Sequence, residues 1–518
     1  MKYRVLSKML GILSVAMAVP LIATLGVAIW YREDNIPFTW GGTIAVTLAC
    51  GLLLLWLGKG KMVDIYEREG LALVTLGWLL AAFYGSLPFL FAGAATPAAA
   101  YFESMSGFTT TGASVFGNVE TLPRSLLFWR AMTHWLGGLG IVVILLAVLP
   151  WFGPGGKQLY RSEVPGLDKG GLRPRIHDTA IALLKIYLGL TVAQICLLVV
   201  ARMSLFDAVT HTFATLATGG FSTKNGSVGD FHNLSAEIII TVFMAMAGVN
   251  FGVYYAMTRG NWSAPIRNSE VKAYLLLLVV STLLISINLV GFQYPAVHDQ
   301  VPAQTSSDAA GINYAPSGAS RAAPSPDWPH LAFFDALRRS AFQVVSITTT
   351  TGFSTDDFDQ WPYFSRALLV ALMLIGACSG STGGGTKVIR IIILFRVILL
   401  YLERMFRPKT IRVVRINGEP VSPEILHVVP VFFSLHIAIV IVGTLFMSFL
   451  GLPLQSALTS VVACVNNIGP GLELVGPMNN YSEIPGIGQA FLSLLMLMGR
   501  LEFFSVCVLL FPSFWRRG

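Results

Sequence analysis

The chain has 518 residues, 54% of them hydrophobic and only 12% charged, with a mean hydropathy of +0.68, which excludes an ordinary soluble globular protein. The net charge of +8 falls between apolar runs, so it reads as membrane topology and argues against a nucleic-acid partner. The eight histidines show no metal-ligand spacing, and no nucleophile and base stand in a recognisable pattern, which argues against an enzyme.

In chain order, residues 10–30, 41–57, 71–91 and 274–290 are long and nearly free of charge, and each is able to cross a hydrocarbon core of about 30 Å. The first is too long for a cleaved signal peptide, lacks a small-residue cleavage site and is read as the first helix. Cys50, Cys196, Cys378, Cys464 and Cys507 have no paired spacing and read as small buried hydrophobes. With Lys2, Arg4 and Lys8 inside, the positive-inside bias places Lys59 and Lys61 inside. It does the same for Lys157, Arg161, Lys169, Arg173 and Arg175, and for Arg259, Arg267 and Lys272. Arg396, Arg404, Arg407, Lys409, Arg412, Arg415, Arg516 and Arg517 follow, while 293–330, rich in Ala, Ser and Pro with Arg321 alone, falls outside as a flexible insertion.

That assignment requires four short apolar stretches, 97–108, 205–217, 331–347 and 453–465, to enter the membrane and return to the same side. Thr96-Pro97 and Asp207 are good helix-start residues for two of them, and the lack of a charged face argues against surface helices. Each is followed by a segment that aligns without gaps. The four are Thr109-Thr110-Thr111-Gly112-Ala113-Ser114, Ala217-Thr218-Gly219-Gly220-Phe221-Ser222, Thr349-Thr350-Thr351-Gly352-Phe353-Ser354 and Asn466-Asn467-Ile468-Gly469-Pro470-Gly471. One glycine is common to all, and the chain reads as a fourfold repeat. Irregular backbone at membrane depth must be buried in protein or line a watery cavity, so four such segments imply a pore. A ring of backbone carbonyls replaces a cation's hydration shell without full negative charges, glycine lets the backbone aim them, and the C-terminal ends of the half-helices favour a cation. The fourth segment, with Asn467, Ile468 and Pro470, departs most and is expected to contribute differently.

The run Gly376-Ala377-Cys378-Ser379-Gly380-Ser381-Thr382-Gly383-Gly384-Gly385-Thr386-Lys387 interrupts a span with more glycine than a continuous helix tolerates, and a break is expected there. Poorly packed backbone of this kind suits a movable barrier, and a glycine-rich packing seam is the competing reading. Arg500, inside the last apolar run, is costly at that depth. It either faces the pathway below the filter or pairs with an acidic residue such as Glu502. Arg130, Glu103 and His134 are equally unusual in apolar surroundings, and helix-end anchoring accounts for them.

On the four filter segments, His134-Trp135-Leu136-Gly137-Gly138-Leu139-Gly140, Gln158-Leu159-Tyr160-Arg161 with Pro174-Arg175-Ile176, the 376–387 run and Gly499-Arg500-Leu501-Glu502, the chain resembles the Trk, Ktr and HKT cation transporter superfamily. The extra apolar pair at 10–57 resembles the TrkH type within it. The resemblance implies an all-α polytopic membrane protein with four membrane–pore-loop–membrane repeats around a central pore and an N-terminal two-helix extension. The division is then 1–69 extension, 70–150, 151–269, 270–415 and 416–518 as repeats. It implies potassium-selective uptake across a bacterial inner membrane, with glycine rather than serine at position 112 favouring potassium over sodium. Potassium is the transported ion and no covalent cofactor is expected. The filter is expected at Thr110, Thr111, Gly112, Thr218, Gly219, Gly220, Thr350, Thr351, Gly352, Asn467, Ile468 and Gly469. Gly376, Gly380, Gly383, Gly384, Gly385, Lys387 and Arg500 are expected to gate, with 376–387 lying under the filter as an obstruction and Arg500 competing with the permeating cation. A homodimer and a cytoplasmic TrkA-type nucleotide-binding regulatory subunit are the implied partners besides the bilayer, and the basic stretch 404–415 is a candidate docking surface. The run after Ser379 lacks the Walker pattern and is no nucleotide site. Potassium symport with protons or sodium is the alternative mechanism. Few buried carboxylates are evident on the pathway to support it.

Overall fold

The computed structural model describes residues 1–34, 37–60, 67–148, 173–291, 331–408 and 413–515, with backbone alone at 67, 139, 141–148 and 173–180. Lys61, the 157–169 basic group with the Gln158–Arg161 motif, the insertion 293–330, Lys409, Arg412, Arg516 and Arg517 lie outside the described residues. Among the described residues every element is helical except one small antiparallel hairpin, Arg415–Ile416 paired with Glu419–Pro420.

The apolar runs become the helices Tyr3–Trp30 and Gly42–Leu57, the second entered through a π-turn at Pro37–Gly41. Small residues let this pair approach closely: a β-carbon on Gly11 would lie 2.8 Å from the Leu55 nitrogen, and one on Gly58 would lie 2.6 Å from that of Lys8. In lipid, where apolar side chains gain nothing from water exclusion, close backbone approach is a main source of helix association. The pair is fastened to the next helix, Glu67–Phe91, by a buried hydrogen bond of 3.0 Å between Ser14 Oγ and Tyr84 Oη.

The rest of the chain follows one pattern four times: a long helix, a short helix, a loop and a returning helix. The long helices are Glu67–Phe91, Arg173–Val200, Ser269–Leu289 and Pro423–Phe449, and the short ones are Pro97–Phe108, Leu205–Leu216, Phe333–Thr348 and Leu454–Val465. At 1.5 Å per residue, helices of 12 to 16 residues reach about 18–24 Å, too little to cross, so the chain must turn back. Helix starts differ in detail from the sequence reading. Thr96 is an N-cap with Pro97 behind it, but the cap of the second short helix is Ser204, whose Oγ accepts from the Asp207 backbone N–H at 3.1 Å. Asp207 therefore sits in the first turn, where a carboxylate faces the positive helix end.

The returning helix of the first unit, Arg124–Val148, is continuous. The third is broken between Tyr363–Met373 and Val388–Phe406, as the glycine run requires. Breaks also occur where none was expected. Leu234–Ala247 and Phe251–Thr258 meet at 90°, and Gly486–Arg500 meets Phe504–Leu510 at 117°. At the first, Asn250 caps the new helix by accepting from the Gly252 N–H at 2.7 Å. At the second, Glu502 and Phe503 take left-handed φ of 59° and 54°.

One face gathers both termini: the Lys2 N–H donates to Glu69 at 3.2 Å, Tyr3 Oη to the Trp515 carbonyl at 3.2 Å and Arg68 to the Ser513 carbonyl at 3.0 Å. The opposite face gathers the four loops that follow the short helices. The Asn225 amide donates to Asn118 at 2.9 Å, the Gly229 N–H to the Ser354 carbonyl at 3.2 Å, the Glu473 N–H to Asp359 at 2.9 Å and the Tyr481 N–H to the Ser114 carbonyl at 2.8 Å. These four links join loops one to two, two to three, three to four and four to one, so the outer mouth is a closed ring.

Candidate functional site

Directly beneath that mouth the four aligned segments adopt the same backbone. Thr110, Thr218, Thr350 and Asn467 have φ of 54°, 55°, 61° and 55°, and the common glycines Gly112, Gly220, Gly352 and Gly469 have φ of 81°, 83°, 79° and 99°. The residue between each pair keeps a negative φ. Left-handed threonine is strained by about 1–3 kcal/mol, and such strain persists only where surroundings enforce it. Asparagine tolerates this conformation better, so the fourth segment, most divergent in sequence, is not divergent in backbone.

The segments meet in cyclic order. A β-carbon on Gly112 would overlap the carbonyl oxygen of Gly219, one on Gly220 that of Thr351, one on Gly352 that of Ile468 and one on Gly469 that of Thr111. The obstructed atom is in each case the carbonyl just before the next segment's glycine. Four equivalent carbonyls thus stand against four equivalent glycines around one axis. The threonine hydroxyls face the scaffold: Thr109 and Thr111 lie 2.8 Å apart, Thr349 and Thr351 2.7 Å, and the Asn467 amide donates to Thr111 Oγ1 at 3.0 Å and to the Met496 carbonyl at 2.9 Å.

The scaffold behind the four segments is built from Glu103, Arg130 and His134, which do more than anchor helix ends. Glu103 and Arg130 form a fully buried ion pair at 2.7 Å. The same guanidinium donates to the Ser222 carbonyl and to Ser114 Oγ at 3.1 Å each, and the Val115 N–H donates to Glu103 at 2.9 Å. The pair therefore locks filter one to filter two. His134 completes that joint: its Nε2 accepts from the Phe221 N–H at 3.2 Å, which leaves Nδ1 to donate to the Gly107 carbonyl at 2.8 Å, and its ring stacks on Phe221 at 4.1 Å. His211 bridges onward, with Nδ1 2.9 Å from the Asp207 carbonyl, Nε2 3.0 Å from Ser222 Oγ and its ring stacked on Phe353. The signal that marks these residues is an ionisable group in an otherwise apolar helix. Glu103→Ala leaves a buried guanidinium uncompensated and is expected to lower stability by about 3–5 kcal/mol, read as a fall in melting temperature in detergent.

Outside the membrane the mouth carries charge pairs of a weaker kind. Lys224 and Glu120 meet at 3.0 Å, both partly exposed. Their hydrogen bond holds the Glu120 carboxyl below its usual range and raises Lys224. Burial pushes the Asp357 carboxyl, in the loop after the third short helix, up.

On the inner side of the filter lies the 376–387 stretch, which has no helix between Met373 and Val388. The expectation of a poorly packed backbone is not met. Gly376, Gly383, Gly384 and the residues 377–379 are buried. The loop's neck is closed by bonds from the Gly376 N–H to the Thr386 carbonyl at 2.6 Å and from the Val388 N–H to the Ala377 carbonyl at 3.2 Å. Its tip reaches the filter, where the Gly384 N–H donates to Thr350 Oγ1 at 2.7 Å, and Lys387 Nζ turns back onto the Gly383 and Gly384 carbonyls. Gly380 and Gly385 hold left-handed φ of 70° and 64°, which the turns at the tip require.

Arg500 stands between filter and loop. It is buried and donates to Thr110 Oγ1 at 3.0 Å, to the Thr382 carbonyl at 2.9 Å and to the Gly137 carbonyl at 2.8 Å. Glu502 pairs with Arg390. The structure thus gathers the predicted filter residues in one ring and the predicted gating residues on its inner side, with Arg500 joining them.

The chain matches the family model described as TrkH, cation transport protein, over residues 41–516. It is 36% identical over 527 aligned positions to the Trk system potassium uptake protein TrkH of Escherichia coli K12, covering 100% of both chains. It is 32% identical to the Trk system potassium uptake protein TrkI of Halomonas elongata, covering 99% of this chain and 96% of the relative. The crystal structure of the potassium transporter TrkH from Vibrio parahaemolyticus superposes with a TM-score of 0.83 at 32% identity, with 100% of both chains covered. With a full-length match and a shared helical membrane architecture, the chain belongs to the TrkH family of cation transport proteins, multi-pass inner-membrane transporters rather than enzymes.

Proposed function

We propose that this chain takes up potassium through the ring of four filter segments as the pore-forming subunit of a Trk system. The observation that carries the reading is the ring itself: four left-handed glycines, each seated against the carbonyl of the next segment. Such a ring offers a dry monovalent cation neutral oxygens at positions set by backbone packing. The potassium named in the relatives' descriptions fits it. Each of the repeats 70–150, 151–269, 270–415 and 416–518 supplies one quarter, and 1–69 is a supporting extension.

Residues 376–387 act as the gate in this reading. Their tip bonds to the filter at Thr350 and to Arg500, so conduction requires those bonds to break and the loop to withdraw. Arg500, cationic at the inner end of the filter, both holds the loop and opposes a potassium ion there. A cytoplasmic TrkA-type nucleotide-binding subunit regulates the gate, and the chain works as a homodimer with one pathway per protomer. The relatives' description as parts of a Trk system supports a multi-component assembly. Glu103 and Glu270, buried carboxylates beside the filter and the loop, are committed to a guanidinium and to backbone N–H groups, which favours passive permeation over a proton-coupled cycle.

The test is rubidium and potassium flux into liposomes holding the purified chain. Flux that persists with no proton or sodium gradient and exceeds sodium flux is the expected result. Flux that appears only with an imposed proton or sodium gradient overturns the channel-like reading in favour of symport.

A further inference from the structure

The neck of the 376–387 loop is held by a residue that no motif singled out. Glu270 lies in the first turn of the helix Ser269–Leu289 and is buried. Its Oε1 accepts from the Ser379 N–H at 2.6 Å and from the Ile389 N–H at 3.2 Å. Ser379 belongs to the ascending arm of the loop, and Ile389 is in the first turn of the helix Val388–Phe406 that follows the descending arm. One carboxylate oxygen therefore ties the two arms together and also serves as an acceptor at a helix N-terminus, where charge-assisted bonds are strong.

The residue before Glu270 connects this clamp to the cytoplasmic side. The Ser269 N–H donates to Asn417 Oδ1 at 2.7 Å. Asn417 and Gly418, with φ of 52° and 87°, form the exposed tip of the hairpin Arg415–Ile416 and Glu419–Pro420. This two-residue Asn-Gly turn is the type that left-handed φ at both positions demands. The hairpin's Ile416 packs with Ile389 around Ile393 and Val397 on the helix that leaves the loop. The hairpin thus touches both supports of the loop's neck, Ser269 through a hydrogen bond and the helix Val388–Phe406 through apolar packing.

We propose that Glu270 is the positioning residue through which the cytoplasmic hairpin sets the position of the 376–387 loop. Displacement of the hairpin shifts Ser269 and the start of Val388–Phe406 relative to one another. Glu270, bonded to both arms, converts that shift into a change at the loop's tip, where Gly384 meets Thr350. The inference rests on the reading of 376–387 as the gate.

Rubidium flux into liposomes is measured for the full chain, for E270A, E270Q, N417A, the double variant E270A/N417A, and a chain lacking 380–385, alongside the rubidium-to-sodium flux ratio. The expected result is a several-fold rise in flux for E270A, a smaller rise for E270Q and N417A, an unchanged ion ratio, and a double variant no faster than E270A because the two act in one chain of contacts. Wild-type flux in E270A, or in E270Q where E270A fails to fold, overturns the proposal, as does full additivity in the double variant. The chain lacking 380–385 separates the two readings: a flux rise there without one in the Glu270 variants leaves the gate intact and removes Glu270 from it. Unchanged flux in that chain, if it folds, overturns the gate reading and the proposal with it.

Discussion

Gly112→Ser is expected to lower the potassium-to-sodium permeability ratio by about tenfold or more, the equivalent of 1.4 kcal/mol. Two physical effects act together. At φ of 81° any side chain with a β-carbon is strained by about 1–3 kcal/mol. The serine Cβ would also overlap the Gly219 carbonyl oxygen, so either that carbonyl or the first segment must move. Because Gly219 O belongs to the second segment, displacement is passed around the ring rather than confined to one quarter of it. The measurement is the ratio of rubidium to sodium flux in liposomes, with Gly93→Ser as control: Gly93 has a similar φ of 66°, but nothing lies within 4 Å of its added carbon. If Gly112→Ser keeps the wild-type ratio, the ring of carbonyls does not set selectivity at this level.

Removing residues 380–385 is expected to raise rubidium flux by about tenfold without changing ion preference. The neck of the loop is closed by its own two backbone bonds, Gly376 to Thr386 and Ala377 to Val388, and survives the deletion. What is lost is the tip, with its bonds from Gly384 to Thr350 and from Arg500 to Thr382. Net hydrogen bonds contribute about 0.5–1.5 kcal/mol each, and those involving a charged group about 1.5–3, so releasing both shifts a closed–open equilibrium by at least an order of magnitude. A well-folded deletion variant with less flux than the wild type would instead assign the glycine run to helix packing. Its many close contacts, such as Gly384 against Asn467 and Gly383 against the Thr349 carbonyl, make that alternative concrete.

The membrane setting, the helical class and the four short stretches followed by aligned glycine segments are legible in the chain before it folds. These are encoded locally: hydrophobic run length decides what crosses lipid, and glycine at a recurring register marks backbone that no other residue adopts cheaply. The break in the third returning helix was legible for the same reason. The breaks at 248–250 and 501–503 were not, because Asn250 and the left-handed Glu502 and Phe503 carry no local signal as strong as a glycine run. Which groups share a site follows from folding alone. It paired Glu103 with Arg130 across 27 positions, set Arg500 against Thr110 across 390, and brought Glu270 to Ser379 across 109. A charge in an apolar helix announces that it needs a partner. Which partner it finds depends on how four helical units close around one axis, and that closure is a property of packing rather than of any segment's sequence.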